Sequence, residues 1–257
     1  MSAPHLSLED RVAVITGGKG GIGSVVSEAL ARAGAHVAIT DLSVDDEATI
    51  SLKNTIQELG KRFLAIQANI TKKQDMQNAI ARVADEFGAI DILVNTPALI
   101  VRNIPLVDVS ESDWDKVVDT KIKGYFLSSQ AVAKVMMRQR RGSIVNFSGT
   151  LGIKMSWGRT AYHIAQTGAI TLTKVLAYEL GQYNIRANAV APGFVEDTPF
   201  SDAVRSDPEF LRSSEPETRL GRLVTREEIA NLVVFLASDA SSFITGQTIL
   251  LDGGALL

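Results

Sequence analysis

Along this chain, short apolar runs rich in β-branched residues alternate with longer stretches whose apolar positions recur at helical spacing. The runs at Val12–Thr16, His36–Thr40, Phe63–Ala68, Ile90–Asn95, Ser143–Phe147, Ile185–Val190 and Thr248–Leu251 read as strands. Helical stretches are expected near Ile22–Ala33, Asp45–Leu59, Lys72–Phe87, Glu111–Arg138, Ala161–Leu180 and Arg226–Ala237. Val12-Ala13-Val14-Ile15 and Ile92-Leu93-Val94 are apolar throughout, so both faces of their sheet must be covered. Strands alternating with helices build a parallel sheet with helices on either side. The pattern therefore predicts an α/β fold: one doubly wound domain over residues 1–257, around a seven-stranded parallel sheet. No linker rich in Pro, Gly and Ser divides the chain, and no repeat is visible. The stretch 194–222 is polar, proline-punctuated and weakly periodic, as a substrate-binding flap within a compact domain would be.

Composition removes several function classes. Cysteine is absent, which excludes disulfides, thiolate metal sites and thiol nucleophiles. His5, His36 and His163 have no ligand spacing, so no metal site is expected. The net charge is −3 with acids and bases interspersed, unlike the concentrated basic face that binds nucleic acid. The basic run Arg138 to Arg141 closes a helix, where cations complement the dipole. No leader-like pattern opens the chain, and no apolar run approaches the roughly 20 residues that span a membrane. The expectation is a cytoplasmic protein with a small-molecule substrate and neither a nucleic-acid nor a membrane partner.

The first strand leads directly into Thr16-Gly17-Gly18-Lys19-Gly20-Gly21-Ile22-Gly23 and then a helix. Strand, glycine turn and helix in that order let backbone N–H groups approach a pyrophosphate at the helix N-terminus. The second strand runs into Asp41, placed to accept hydrogen bonds from the adenosine ribose and to repel a 2′-phosphate. That points to NAD over NADP, although Lys19 is a cation that could accommodate the phosphate.

Thr-Gly-x-x-x-Gly-Ile-Gly is the spacing of the short-chain dehydrogenase/reductase family, which this chain resembles from about Leu8 to Gly254. Further landmarks follow in order: Asn69-Ile70, Asn95, Tyr162, Pro192-Gly193, and the tail from Phe243-Ile244-Thr245-Gly246-Gln247 to Asp252-Gly253-Gly254. The resemblance implies a Rossmann-type fold whose cofactor contacts include Gly17, Gly21, Ile22, Gly23 and Asp41. It also implies Asn69 and Ile70 by the adenine, Asn95 by the adenosine-side ribose, and Pro192, Gly193 and Val195 by the nicotinamide. A homotetramer is implied too, paired through the helices Glu111–Arg138 and Ala161–Leu180 and through the C-terminal strand.

At the reacting end the chain departs from the family, whose members combine Asn, Ser, Tyr and Lys, the last two spaced Tyr-x-x-x-Lys. Tyr162 is present, but Gln166 stands at the Lys position, Gly149 (between Ser148 and Thr150) at the Ser position, and Lys121 at the Asn position. Asn95-Thr96-Pro97-Ala98 replaces the usual Asn-Asn-Ala-Gly, and the Thr expected after Pro192-Gly193 arrives late, at Thr198. Neutral Gln166 can hold a ribose hydroxyl but cannot lower the Tyr162 pKa as an ammonium would. Lys121 either reaches toward Tyr162 and restores part of that field, or points to solvent or pairs with an acid such as Asp119. His163 is expected to face away from its neighbour Tyr162. Trp157, Met155, Phe194 and Phe200 either line a substrate pocket or pack the core. The catalytic candidates are thus Tyr162, Lys121 and Gln166, with Tyr162 and Gln166 also touching cofactor. They fit an NAD-dependent oxidoreductase acting on a hydroxyl or carbonyl of a small substrate. The alternatives are a non-redox lyase, isomerase or dehalogenase that keeps NAD(H) and uses Tyr162, or a catalytically silent binding subunit.

Overall fold

The computed structural model describes residues 6–100, 103–197 and 218–257. Seven strands, β1 (Val12–Thr16), β2 (His36–Asp41), β3 (Phe63–Gln67), β4 (Ile92–Asn95), β5 (Gly142–Phe147), β6 (Ile185–Pro192) and β7 (Thr248–Leu251), form one sheet. Their order is β3-β2-β1-β4-β5-β6-β7, and every neighbouring pair is parallel. The helices are α1 (Gly21–Arg32), α2 (Glu47–Glu58), α3 (Lys73–Phe87), α4 (Glu111–Val118), α5 (Gly124–Gln139), α6 (Thr160–Leu180) and α7 (Arg226–Ala237).

Alternation along each strand divides the core in two. Ala13 and Ile15 of β1 pack with Val26 and Leu30 of α1, Leu52 and Ile56 of α2, and Ile229 and Val233 of α7. Val12 and Val14 face the other way, with Met76 and Ile80 of α3, Val132 and Met136 of α5, and Ala169 of α6. The doubly wound expectation and the seven-strand sheet are thus realised. The expected flap, 194–222, lies for the most part outside the described residues.

One long element differs from its expectation. Glu111–Arg138 is not a single α-helix: a π-turn, Asp119–Lys123, separates α4 from α5. A π-turn inserts residues into the helical ladder and re-aims the side chains around it. It turns Lys121 into the protein, where the residue is only 2% exposed. Apolar periodicity cannot reveal such an insertion, because the pattern resumes unbroken on either side.

Candidate active site

Winding reverses direction between β1 and β4, and loops leaving adjacent strands to opposite faces open a crevice beyond the strand ends. The register sets the walls level, since Thr16 lies opposite Thr40 on one side and Asn95 on the other. A cleft of about 700 Å³ occupies this position, reached by the loops after β1, β2, β4, β5 and β6. Gly17, Gly21, Ile22 and Gly23 line one end of it. Gly17 has φ +67°, and a Cβ there would come within 2.9 Å of Thr96 Oγ1. A Cβ on Gly23 would sit 2.1 Å from the Gly17 carbonyl oxygen, so the turn closes only without side chains. With Gly20 at the N-cap, no side chain caps α1, and its first N–H groups remain for a ligand in the cleft.

Asp41 closes this end, lining the cleft while one carboxylate oxygen accepts from the Leu42 N–H at 2.8 Å. Lys19 is committed elsewhere: its ammonium bonds Asp46 and also donates to Ser43 Oγ at 2.6 Å. That contact, with two bonds from Thr49, holds the Asp46 carboxyl well below its usual range. The cation that could have welcomed a 2′-phosphate therefore already has an acidic partner.

Three of the expected cofactor contacts are placed differently. Asn95 is completely buried, and its side chain is engaged inside the fold. It accepts from Thr16 Oγ1 at 3.0 Å and Ser128 Oγ at 2.7 Å, and donates to Asn146 Oδ1 at 2.9 Å. The register explains this, since Asn95 and Asn146 are partners on neighbouring strands and Asn146 in turn donates to Thr173 on α6. Asn95 therefore pins β1, β4, β5, α5 and α6 together, and its side chain has no bonding capacity left for a ribose. Asn69 and Ile70 do not line the cleft. Asn69 borders a separate depression beside Leu42 and folds its carbonyl back onto Thr71, while Ile70 is buried against Gly124.

At the other end, Pro192, Gly193, Phe194 and Val195 form a wall. Val224 bonds the Phe194 carbonyl and the Glu196 N–H, so strand geometry turns the Val195 N–H and C=O away from Val224. Opposite lie Tyr162 and Gln166, both from α6. Burial raises the Tyr162 phenol above its ordinary value, opposed by the Gln166 side chain and the Arg159 charge. Gln166 is 2% exposed, and its Oε1 is a buried acceptor without a hydrogen-bond partner. A Cβ on Gly149 would lie 3.1 Å from Gln166 Nε2, so the carboxamide crowds the space that a side chain at position 149 would need. Ser148 does not compensate, because its hydroxyl donates to the Gln166 backbone carbonyl at 3.0 Å.

Lys121 lines the same cleft as Tyr162, and it neither pairs with Asp119 nor points to solvent. Asp119 pairs with Lys123. The Lys121 ammonium instead donates to the Tyr125 hydroxyl at 3.1 Å, and that hydroxyl donates to the Pro97 carbonyl at 3.0 Å. Burial without a carboxylate beside it lowers the Lys121 pKa to about 7. Tyr125 is the polar residue that reading the sequence missed. Its signal was the i, i+4 spacing from Lys121, which sets both on one helical face.

His163 is buried, with Nε2 accepting from the Ser156 N–H at 2.9 Å and Nδ1 against the Leu151 carbonyl, so it braces the 151–156 segment and does not itself line the cleft. Phe194 lines the cleft, whereas Met155 and Trp157 are exposed and do not, and Phe200 and Thr198 lie outside the described residues.

The donor set fits a nicotinamide dinucleotide. The glycine turn is a cradle that a Cβ would fill, Asp41 can accept from an adenosine ribose, and the orphaned Gln166 Oε1 calls for a hydroxyl donor. Known proteins share this fold and much of this sequence. Residues 17–255 match the family model described as Enoyl-(Acyl carrier protein) reductase. The chain is 40% identical over 253 residues to a 3-oxoacyl-[acyl-carrier-protein] reductase FabG of Thermotoga maritima, covering 98% of this chain and all of that one. It is 35% identical over 252 residues to the (2S)-[(R)-hydroxy(phenyl)methyl]succinyl-CoA dehydrogenase subunit BbsD of Thauera aromatica, covering 98% and 99%. The crystal structure of a gluconate 5-dehydrogenase from Burkholderia cenocepacia, in complex with NADP and tartrate, superposes with a TM-score of 0.91 at 30% identity, covering 98% and 97%.

Proposed function

This chain belongs to the short-chain dehydrogenase/reductase family, and on that premise we propose that it is an NAD-dependent oxidoreductase working as a carbonyl reductase on a small, largely apolar substrate. The observation that carries the direction is Tyr162, a phenol raised by burial and facing the cleft without the family lysine. A phenol that stays protonated holds a proton to give to a carbonyl oxygen and cannot take one from an alcohol, which supports the reductive direction. NADH, when bound, supplies the hydride that the carbonyl carbon receives. Tyr162 hydrogen-bonds the carbonyl oxygen and delivers its proton as charge develops there. Gln166 Oε1 would accept from a nicotinamide ribose hydroxyl, and the Val195 backbone would hold the carboxamide. Apolar side chains, among them Leu99, Ile100, Leu151 and Phe194, exclude water around the reacting atoms. The test is loss of absorbance near 340 nm when NADH and candidate ketones meet the purified protein. Turnover in the oxidative direction alone would overturn the directional reading.

The choice of NAD rests on Asp41, with Lys19 already held by Asp46; the gluconate 5-dehydrogenase, by contrast, was crystallised with NADP. Titration calorimetry is expected to show NADH binding at least about tenfold more tightly than NADPH, as like-charge repulsion of a 2′-phosphate costs several kcal/mol. Asp41→Ala should narrow that gap, chiefly by admitting NADPH. Equal affinities in the wild type would remove Asp41 from its role.

A homotetramer is part of the same proposal. Phe126 on α5, Val175 and Tyr178 on α6, and Phe243 and Leu250 around β7 are exposed, Tyr178 at 90%. Closed oligomers bury such positions. Sedimentation at micromolar concentration is expected to give a tetramer, and a monomer would refute it. A second reading, a subunit without turnover of its own, is favoured by one observation: a relative is itself named a dehydrogenase subunit, and here only Tyr162 of four family residues remains. It predicts bound NAD(H) with no absorbance change for any carbonyl.

A further inference from the structure

Lys121, Tyr125 and Pro97 come from the π-turn, α5 and the loop after β4, and two of them are departures from the family pattern. They meet in a directed chain. Because the Tyr125 hydroxyl spends its proton on the Pro97 carbonyl, it can only accept from Lys121. The Lys121 nitrogen is thereby held by one hydrogen bond and by the Tyr125 ring, whose centre is 4.8 Å away, and it stands in the wall of the cleft. No carboxylate pairs with it among the described residues, although it is 2% exposed. A buried cation held in place with no acid beside it is costly unless an anion arrives from outside.

We propose that Lys121, positioned by Tyr125, is an anion-binding residue of the substrate cleft, and that the substrate is an oxo acid carrying a carboxylate on an apolar body. The cofactor phosphates do not serve as that anion, since their cradle is the glycine turn at the N-terminus of α1, and Lys121 stands with Tyr162 and Gln166 at the reacting end. Nor does a ribose hydroxyl, which is neutral and finds its acceptor in Gln166 Oε1. The surroundings of Lys121 set the rest of the substrate: Pro97, Leu99, Leu151 and Phe194 offer apolar contact to its body. The inference rests on the reductase reading for the word "oxo" but not for the word "acid".

The experiment therefore has a binding arm and a turnover arm, both on the full chain with NAD(H) present. Calorimetry compares 4-phenylbutyrate with its neutral amide, and turnover compares 3-benzoylpropionate with its methyl ester. The wild type is expected to prefer the acid in both pairs. Lys121→Met should lose roughly 30- to 1000-fold toward the acid, mainly in Kd and KM, and with it the preference for acid over amide and ester. Tyr125→Phe, which keeps the cation but releases it, should erode the preference without abolishing it. Equal binding of acid and amide by the wild type, or an unchanged acid preference in Lys121→Met, would overturn the proposal. Selective binding of the acid without any oxidation of NADH would support the anion site and overturn the reductase reading.

Discussion

Lys121→Met is expected to make the ligand-free protein more stable at neutral and acidic pH, against the usual result for a core substitution. The folded protein lowers the Lys121 pKa from 10.5 to about 7, and burial is the cause. Below pH 7 the lysine is charged in both the folded and unfolded chain, so the folded state carries the whole cost of burying it. Between pH 7 and 10.5 the folded protein has released a proton that the unfolded chain still holds, so wild-type stability climbs with pH across that window. Above 10.5 both states are neutral and the cost is gone. The full span corresponds to roughly 3–5 kcal/mol. Methionine keeps the length and apolar stem of the side chain, and Tyr125 retains its bond to Pro97. Guanidinium titrations of both proteins at pH 6, 8 and 10 measure the difference directly. Lys121→Met should lead clearly at pH 6 and lose most of that lead by pH 10. A variant less stable at pH 6, or a difference that ignores pH, would show the ammonium to be well accommodated in the empty cleft. Such a cost, borne in the absence of ligand, is what a binding residue pays in advance of its partner.

Tyr162→Phe is expected to lower turnover by about 10²–10⁴-fold, with a much smaller loss of NAD(H) affinity from its contact to the cofactor. Phenylalanine keeps the ring and removes only the proton, so a structural role would spare the rate. Because the phenol is raised from 10.0, its protonated form persists throughout the neutral range. With a neutral ketone, which does not call on the Lys121 charge, the reductive rate should therefore stay level from pH 6 to 9 and fall only above pH 10, as the phenol ionises. Gln166→Lys tests the same point from the other side. An ammonium about 4 Å from the phenol, at an effective dielectric of 20, favours the phenolate by roughly 4 kcal/mol. That variant should gain in alcohol oxidation near pH 8. If Tyr162→Phe kept full activity, the proton would have to come from elsewhere, and Lys121 would be the group to examine.

The cofactor end was far more legible in the sequence than the reacting end. Gly17, Gly21, Ile22 and Gly23 follow a strand and open a helix, a local relation that a short stretch of chain contains in full. Asp41 was placed by the same logic, at the C-terminal end of β2. The side-chain partners of Asn95, namely Thr16, Ser128 and Asn146, could not be read from its position after a strand, because they are distant in sequence and brought together by strand register. Lys19 could not be judged until Asp46 was seen to take its charge.

Strand and helix periodicity, the absence of cysteine and the glycine turn required only neighbours along the chain, and they sufficed for an α/β domain with a dinucleotide cleft. The residues at the positions where the resemblance leads one to expect catalytic groups were equally visible, with Gln166 in place of an expected lysine and Gly149 in place of an expected serine. What those substitutions do was decided only by packing. The π-turn swings Lys121 inward, Tyr125 catches it, and the Gln166 carboxamide takes the space beside Gly149. Each of these depends on which side chains meet across elements and on how far water is excluded where they meet. A charge's pKa and a hydrogen bond's partner are properties of that enclosed space, and no run of residues contains it.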